Sequence, residues 1–489
     1  MSVSTMLRWD SRLQFRYGFY AVYAIVTMLF GLGLSGLPES VRTATLVMVL
    51  FADPGFLGFY FVGALVLFEK NEGVLHALVS SPLSADEYLV SKTLSLSFIA
   101  NLGALVITLF VHGSAFQPVW FLLGLGLTAG LFVLVGFVAV ARFDSLNAYF
   151  LTAIVYIVPL SLPLLDHFAV VESALFYLFP TQASLVLIGA AFEATPAWEL
   201  AYAVGYLLVG IGVAYVLARR AFERHIVRET ERKPTAEVER GSLLAGRSLG
   251  PVATLAVTDL RNWIRDPLLV YIGLSPFLLG LLARFGVAPI DAAVGFVDLA
   301  AYSDEILAAF LFTPAGTLGF AAGFFMLEDR EQGVLQALRA TPLTGRGYLA
   351  YRGAVFLGLA FVSTLVMVPL VNLGTLPLVP YLAIALVASL HTAVAGLLMA
   401  SFAANTVEGV GVSKLLGFLI IAPVAAIALV AEPLQFLAGV LPPYWAAKAT
   451  VAVLGGAALG AIGSYLAVVL LVQVALIAGL LRLFLRRAD

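Results

Sequence analysis

An all-α polytopic membrane protein, with about twelve transmembrane helices in two parallel six-helix repeats, is the fold class this sequence predicts. Three observations carry that expectation. The chain is 62% hydrophobic and 11% charged at a mean hydropathy of +1.02, too little polar surface for a soluble globule of 489 residues. Apolar runs of bilayer length recur from one end to the other. A polar segment at residues 69–84 returns at 329–344, 260 positions later.

The chain opens on a cationic stretch in which Asp10, Arg12 and Arg16 alternate with Leu13 and Phe15, and the spacing returns at Asp259, Arg261 and Arg265. Such stretches are expected to lie in the headgroup boundary with arginines toward phosphate, or simply to anchor the first span of each half. Spans follow near 17–37, 43–68, 94–113, 119–141, 148–167 and 200–218. The first is too long for a secretory signal and lacks a small-residue cleavage site, so it is read as a retained helix. Residues 219–250 alternate charges and form an expected cytoplasmic linker between a first half, 1–218, and a second, 251–489. The second half gives runs near 268–288, 304–327, 353–373, 377–401, 412–431 and 452–481.

With both termini cytoplasmic in the cell membrane, all of the 27 Lys and Arg residues except Arg42, Arg284 and Lys448 fall inside or at the inner boundary. Six spans per half make both repeats enter from the same side, so the repeats are parallel, related by an axis along the membrane normal.

At the common offset, Gly73, Leu75, Leu78, Pro82 and Tyr88 match Gly333, Leu335, Leu338, Pro342 and Tyr348, and Lys92 is replaced by Arg352. The apolar residues have helical spacing and the proline denies the helix a further donor, which predicts a short amphipathic helix at the membrane surface. Acids stand at its entrance: Glu69 and Glu72 in the first copy, Glu328, Asp329 and Glu331 in the second. They favour the positive helix end and offer contacts to basic residues of a cytoplasmic protein.

These two segments, Glu69 to Lys92 and Asp329 to Arg352, resemble the coupling regions of fused two-half permeases of the type 2 ATP-binding-cassette exporter family. The acid-x-x-x-Gly-x-Leu core and the following Pro-Leu-Ser/Thr carry the resemblance. It implies short cytoplasmic coupling helices after the second span of each half, and outward movement of an amphipathic or hydrophobic small molecule or lipid. It also implies a separate cytoplasmic nucleotide-binding ATPase, as two copies or two domains, on which ATP and Mg bind. The residues it marks for that contact are Glu69, Glu72, Gly73, Leu75, Leu78 and Pro82, with Glu328, Asp329, Glu331, Gly333, Leu335, Leu338 and Pro342. Glu72 is replaced by Gln332, so which acid serves the second contact stays open. Residues 179–183 and 441–446 resemble the short outer helices of such permeases. A twelve-span secondary transporter and a nontransport membrane assembly protein are the rival readings, and neither needs paired ATPase contacts.

The chain has no Gly-x-x-x-x-Gly-Lys-Ser/Thr phosphate cradle, since residues 409–414 lack its spacing, so no catalysis and no cofactor are expected on this chain. Its five histidines are scattered without ligand spacing, cysteine is absent, and a net charge of -2 offers no basic field for nucleic acid. Asp53, Thr313 (its match in the second half) and His391 lie within spans as pathway or polar-packing candidates. A charged Asp53 facing lipid would cost several kcal/mol, about 3 on insertion scales, which directs it toward protein or water.

Overall fold

The computed structural model describes residues 3–16, 19–37, 39–75, 84–143, 146–227, 267–294, 298–334 and 345–488. It separates into two compact units, Met1–Ser248 and Leu249–Asp489.

In the first unit, α1 (Val3–Arg16) precedes α2 (Phe19–Ser35), α3 (Glu39–Asn71), α4 (Ala85–Val111) and α5 (Pro118–Val140). Helices α6 (Leu146–Ser161), α7 (Leu164–His167), α8 (Pro180–Gly189) and α9 (Ala197–Phe222) complete it, and a π-helical turn, Glu223–Val227, prolongs α9. The opening residues of the expected linker therefore continue a helix; its later residues lie outside those described. Local chemistry sets the boundaries. Ser84 and Glu87 form a reciprocal capping box at the start of α4, and Pro118 occupies the first turn of α5, where its missing N–H costs nothing.

Helix α5 is the centre of this unit, packed on α3, α4, α8 and α9. Gly136 makes the α3 contact possible, because a Cβ there would stand 2.8 Å from the Phe59 carbonyl oxygen. Small residues let backbones approach where lipid supplies no hydrophobic drive between helices. Phe51, Phe59, Phe132 and Tyr149 fill the remaining space, and the Tyr149 hydroxyl donates to the Phe59 carbonyl at 2.6 Å.

The second unit runs α10 (Pro267–Val294), α11 (Ser303–Glu331), α12 (Gly345–Val371), α13 (Leu378–Phe402), α14 (Thr406–Leu429), α15 (Pro442–Leu454) and α16 (Leu459–Ala488). Its closest helix pair is α11 with α13, where a Cβ on Gly323 would meet the Gly396 carbonyl oxygen at 2.9 Å. Three helix-internal prolines each deprive the carbonyl four residues earlier of its N–H partner, and a side-chain hydroxyl replaces it in each case. Ser275 donates to Ile272 at 3.0 Å, Thr313 to Phe310 at 2.8 Å, and Tyr381 to Leu365 at 2.6 Å.

Nine helices among the described residues are long and apolar enough to cross a bilayer, which makes this an integral membrane protein. Shorter apolar helices, Tyr23–Ser35, Val155–His167 and Leu415–Leu429, occupy the places of the expected first, fifth and eleventh spans. The expected run 452–481 is corrected: α15 ends at Leu454, Gly456 takes φ +69°, and the long helix starts at Leu459. Paired glycines reverse the chain there because glycine alone enters the left-handed region without strain. Residues 179–183 and 441–446 open α8 and α15, each begun by a proline and preceded by a 3-10 turn.

Candidate functional site

Helix α3 carries the first copy of the repeated segment to its end, so Glu69 and Lys70 are helical and the reversal comes afterward. Gly73 makes it, with φ +69° and its N–H on the Lys70 carbonyl at 3.1 Å. In the second copy Gly333 has φ +70° and donates to the Arg330 carbonyl at 3.2 Å. Nothing lies within 4 Å of where a Cβ would stand on either residue, so backbone conformation and not crowding selects glycine.

The acid and the cation just before each glycine are turned into the protein. Glu69 accepts a 2.6 Å hydrogen bond from Tyr88 and pairs with Lys92, the ion pair being only 1% exposed on either side. Lys92 also reaches Asp10 of α1 at 2.6 Å, and Ser91 donates to the other Asp10 oxygen at 2.6 Å. Asp329 in the second copy accepts from Tyr348 and pairs with Arg352 at 3.1 Å. Tyrosine and cation lie four residues apart on α4 and on α12, so each pair shares one helix face.

The neighbouring cation closes a second contact in each copy. Lys70 donates to the carbonyls of Ala141 and Phe143 at 2.9 and 3.0 Å, and Arg330 to those of Ala400 and Ala403 at 3.4 and 2.5 Å. These carbonyls lie at and just beyond the C-terminal ends of α5 and α13, where cations are favoured. Both copies thus gather three helix ends around one loop, with an acid holding one helix and a cation another.

Of the marked residues, Glu69, Asp329 and Leu75 are directed inward, Leu75 being buried. Glu72 is exposed. Glu331 accepts from the Thr406 backbone N–H at 2.6 Å and so holds the start of α14, while Glu328 accepts from Gln332 at 3.2 Å. Leu78, Pro82, Leu335, Leu338 and Pro342 lie outside the described residues. The sequence reading missed Asp10, Lys70, Tyr88, Lys92, Arg330, Tyr348 and Arg352 as members of these clusters. For Tyr88, Lys92, Tyr348 and Arg352 a signal was available: the acid is followed after 19 residues by tyrosine and after 23 by a cation in both copies.

Asp53 is buried on α3. Thr313 serves the carbonyl released by Pro314. His391 is buried on α13, its ring edge-on to Phe312 at 6.1 Å, and neither ring nitrogen has a hydrogen-bond partner among the described residues. No group of three or more His, Asp or Glu suited to a metal ion occurs among the described residues. A groove of about 490 Å³ lies between α2 and α4, lined by Tyr20, Tyr23, Thr27, Gly31, Gly103 and Phe110 among others. That volume is in the range of small-molecule sites.

Long apolar helices packed through small residues define a polytopic membrane protein by class. The chain belongs to the fluoroquinolones export permease protein family: the family model of that description matches residues 1–230, and a second, described as fluoroquinolones export permease protein Rv2686c-like, matches 259–481. It is 33% identical over 227 residues to the fluoroquinolones export permease protein Rv2687c of Mycobacterium tuberculosis, covering 96% of that protein with 46% of its own length. It is 34% identical over 211 residues to Rv2686c of the same organism, covering 82% of that protein with 41% of its own length. Each relative is thus about half as long as this chain, and the two family models match successive stretches of it. No solved structure matches it. The family is described as one of permeases.

Proposed function

We propose that this chain is a membrane-spanning permease subunit of an ATP-driven exporter, with both termini cytoplasmic, moving an amphipathic or hydrophobic small molecule or lipid outward. The observation that carries the reading is the duplicated cluster of three helix ends around residues 76–83 and 335–344. A loop whose two ends are joined by an ion pair, buried in the first copy and part-buried in the second, transmits displacement to several spans together, whereas a loosely held loop would dissipate it. The repeated sequence segment 69–84 and 329–344, and the cation distribution expected from the sequence, support the same reading. ATP and Mg would bind a separate cytoplasmic ATPase, in two copies or domains, docked on the two loops.

Within this reading the marked residues divide. Glu69, Asp329, Lys70 and Arg330 hold the loop ends in place, while Glu72 and the loops themselves face the partner. Asp53 and His391 are polar packing groups of the spans. The relatives' names indicate fluoroquinolones, which suggests a planar aromatic substrate for this chain. The groove between α2 and α4, with its tyrosines and phenylalanine, is a candidate resting place for it.

The test is reconstitution of the purified chain with its candidate ATPase in liposomes. ATP-dependent export is expected with the pair and no hydrolysis by this chain alone. Replacing Glu72 together with residues 77–80 by glycine-serine should abolish export while leaving the chain folded. Undiminished export after both loops are replaced would remove the proposal.

A further inference from the structure

Helix α1 is held by one polar face, and what it turns outward is basic and aromatic. Met6, Asp10 and Gln14, spaced by one turn, are buried against α4. Asp10 takes Ser91 and Lys92, and Gln14 donates to Ser95 at 3.0 Å. This fixes the rotation of the helix, since a turn about its axis would leave a buried cation without one of its acids. Arg8, Arg12 and Arg16 are consequently exposed, with Trp9 at 53% and Phe15 at 76% beside them.

That surface has the wrong composition for water alone and the wrong charge for the bilayer core. Three arginines match an anionic headgroup layer, and two large rings beside them match the acyl boundary beneath it. The next helix, α2, starts at Phe19 and is apolar, which puts α1 at the level where hydrocarbon gives way to headgroups. An acidic protein would satisfy the arginines but leave Phe15 and Trp9 unexplained.

We propose that the outward face of α1, formed by Arg8, Trp9, Arg12, Phe15 and Arg16, is a docking surface for anionic phospholipid of the inner leaflet. This rests on the cytoplasmic placement of the N-terminus proposed above. The same Lys92 that fixes α1 also holds Glu69, so seating of α1 on the lipid is joined to the geometry of the first loop.

The experiment uses the full chain in vesicles of phosphatidylcholine with phosphatidylglycerol, one or the other carrying brominated acyl chains. The Trp9 signal is the fluorescence lost in Trp9→Phe. Brominated phosphatidylglycerol is expected to quench Trp9 more than brominated phosphatidylcholine does at equal amounts. Enrichment should fall by about fivefold for each arginine replaced in the series R8Q, R12Q, R16Q. Raising salt on the unaltered chain should weaken the preference as well, which covers a variant that fails to fold. Equal quenching by the two lipids, or a preference untouched by both the substitutions and salt, overturns the proposal. So does a loss of ATPase binding in R8Q/R12Q/R16Q with no lipid preference in the parent chain, which would make the face a protein contact. No transported compound or ATP is needed, so failure of the export reading leaves this readout intact.

Discussion

Glu69 and Lys92, at opposite ends of the first repeated loop, form an ion pair from which water is excluded, each side chain 1% exposed. The pair joins the last turn of α3 to the first turns of α4, and Asp10 extends it to α1. A buried pair is weak evidence for net stability but a strong constraint on geometry, because either charge left alone is costly. Its recurrence as Asp329 with Arg352 shows that the duplication preserves a contact as well as a pattern.

Lys92→Met is therefore expected to cost about 3–5 kcal/mol, by stranding two carboxylates. Asp10→Asn, which leaves the Glu69 pair in place, should cost less. Thermal unfolding of the two variants in detergent measures the difference, and equal small losses would show that the cluster is hydrated.

Gly73→Ala and Gly333→Ala should each lower stability by about 1–2 kcal/mol, since both positions need a positive φ that an L side chain resists. Asparagine should be better tolerated than alanine at both sites. Space is open around them, so a milder effect of alanine than of asparagine would contradict the conformational explanation.

Tyr381→Phe removes the donor that replaces the Pro369 N–H on the Leu365 carbonyl. The cost of an unsatisfied buried carbonyl, about 1–3 kcal/mol, is the expected destabilisation. The double variant Tyr381→Phe, Pro369→Ala should recover most of it, because the backbone then supplies its own donor. Absence of recovery would place the tyrosine's role elsewhere.

Lys448 lies 2.5 Å from Glu432 and 4.3 Å from the centre of the Phe436 ring. Burial pushes its pKa down, but the hydrogen bonds to Glu432 and Tyr444 outweigh burial and leave it raised above 10.5. A raised ammonium pKa contributes stability that is fully present below the unfolded value and is lost as pH rises through the folded one. The native chain should accordingly lose more stability above about pH 10.5 than Lys448→Met does, in unfolding followed against pH. Parallel curves would remove the assignment.

Under the export reading, substitutions that neutralise Arg224, Arg228, Glu229, Glu231 and Arg232 without changing length should leave export near the parent level. Leu75→Ser, at a buried position beside the first loop, should impair it. Transport measured at matched expression makes the comparison, and equal losses would count against the division between linker and loop.

Membrane class, the repeat and the lack of a Gly-x-x-x-x-Gly-Lys-Ser/Thr motif are read from the amino-acid sequence by itself, because composition, run length and spacing are one-dimensional properties. The matches Tyr88 with Tyr348 and Lys92 with Arg352 were equally legible. Their partners were not: Asp10 is 82 residues from Lys92, and a helical period says which residues share a face but not what that face meets. Glu69 and Asp329 illustrate the consequence, reading as surface acids until the packing of α3 on α4 and of α11 on α12 turns them inward. Tyr381 makes the same point, in contrast to Thr313. Proline declares an orphaned carbonyl in the sequence; Thr313 serves one locally, three residues along its own helix, but only tertiary structure decided that Tyr381 of α13, twelve residues beyond Pro369, serves another. In an apolar medium that cannot solvate a polar group, such partners are obligatory, and proximity in three dimensions selects them.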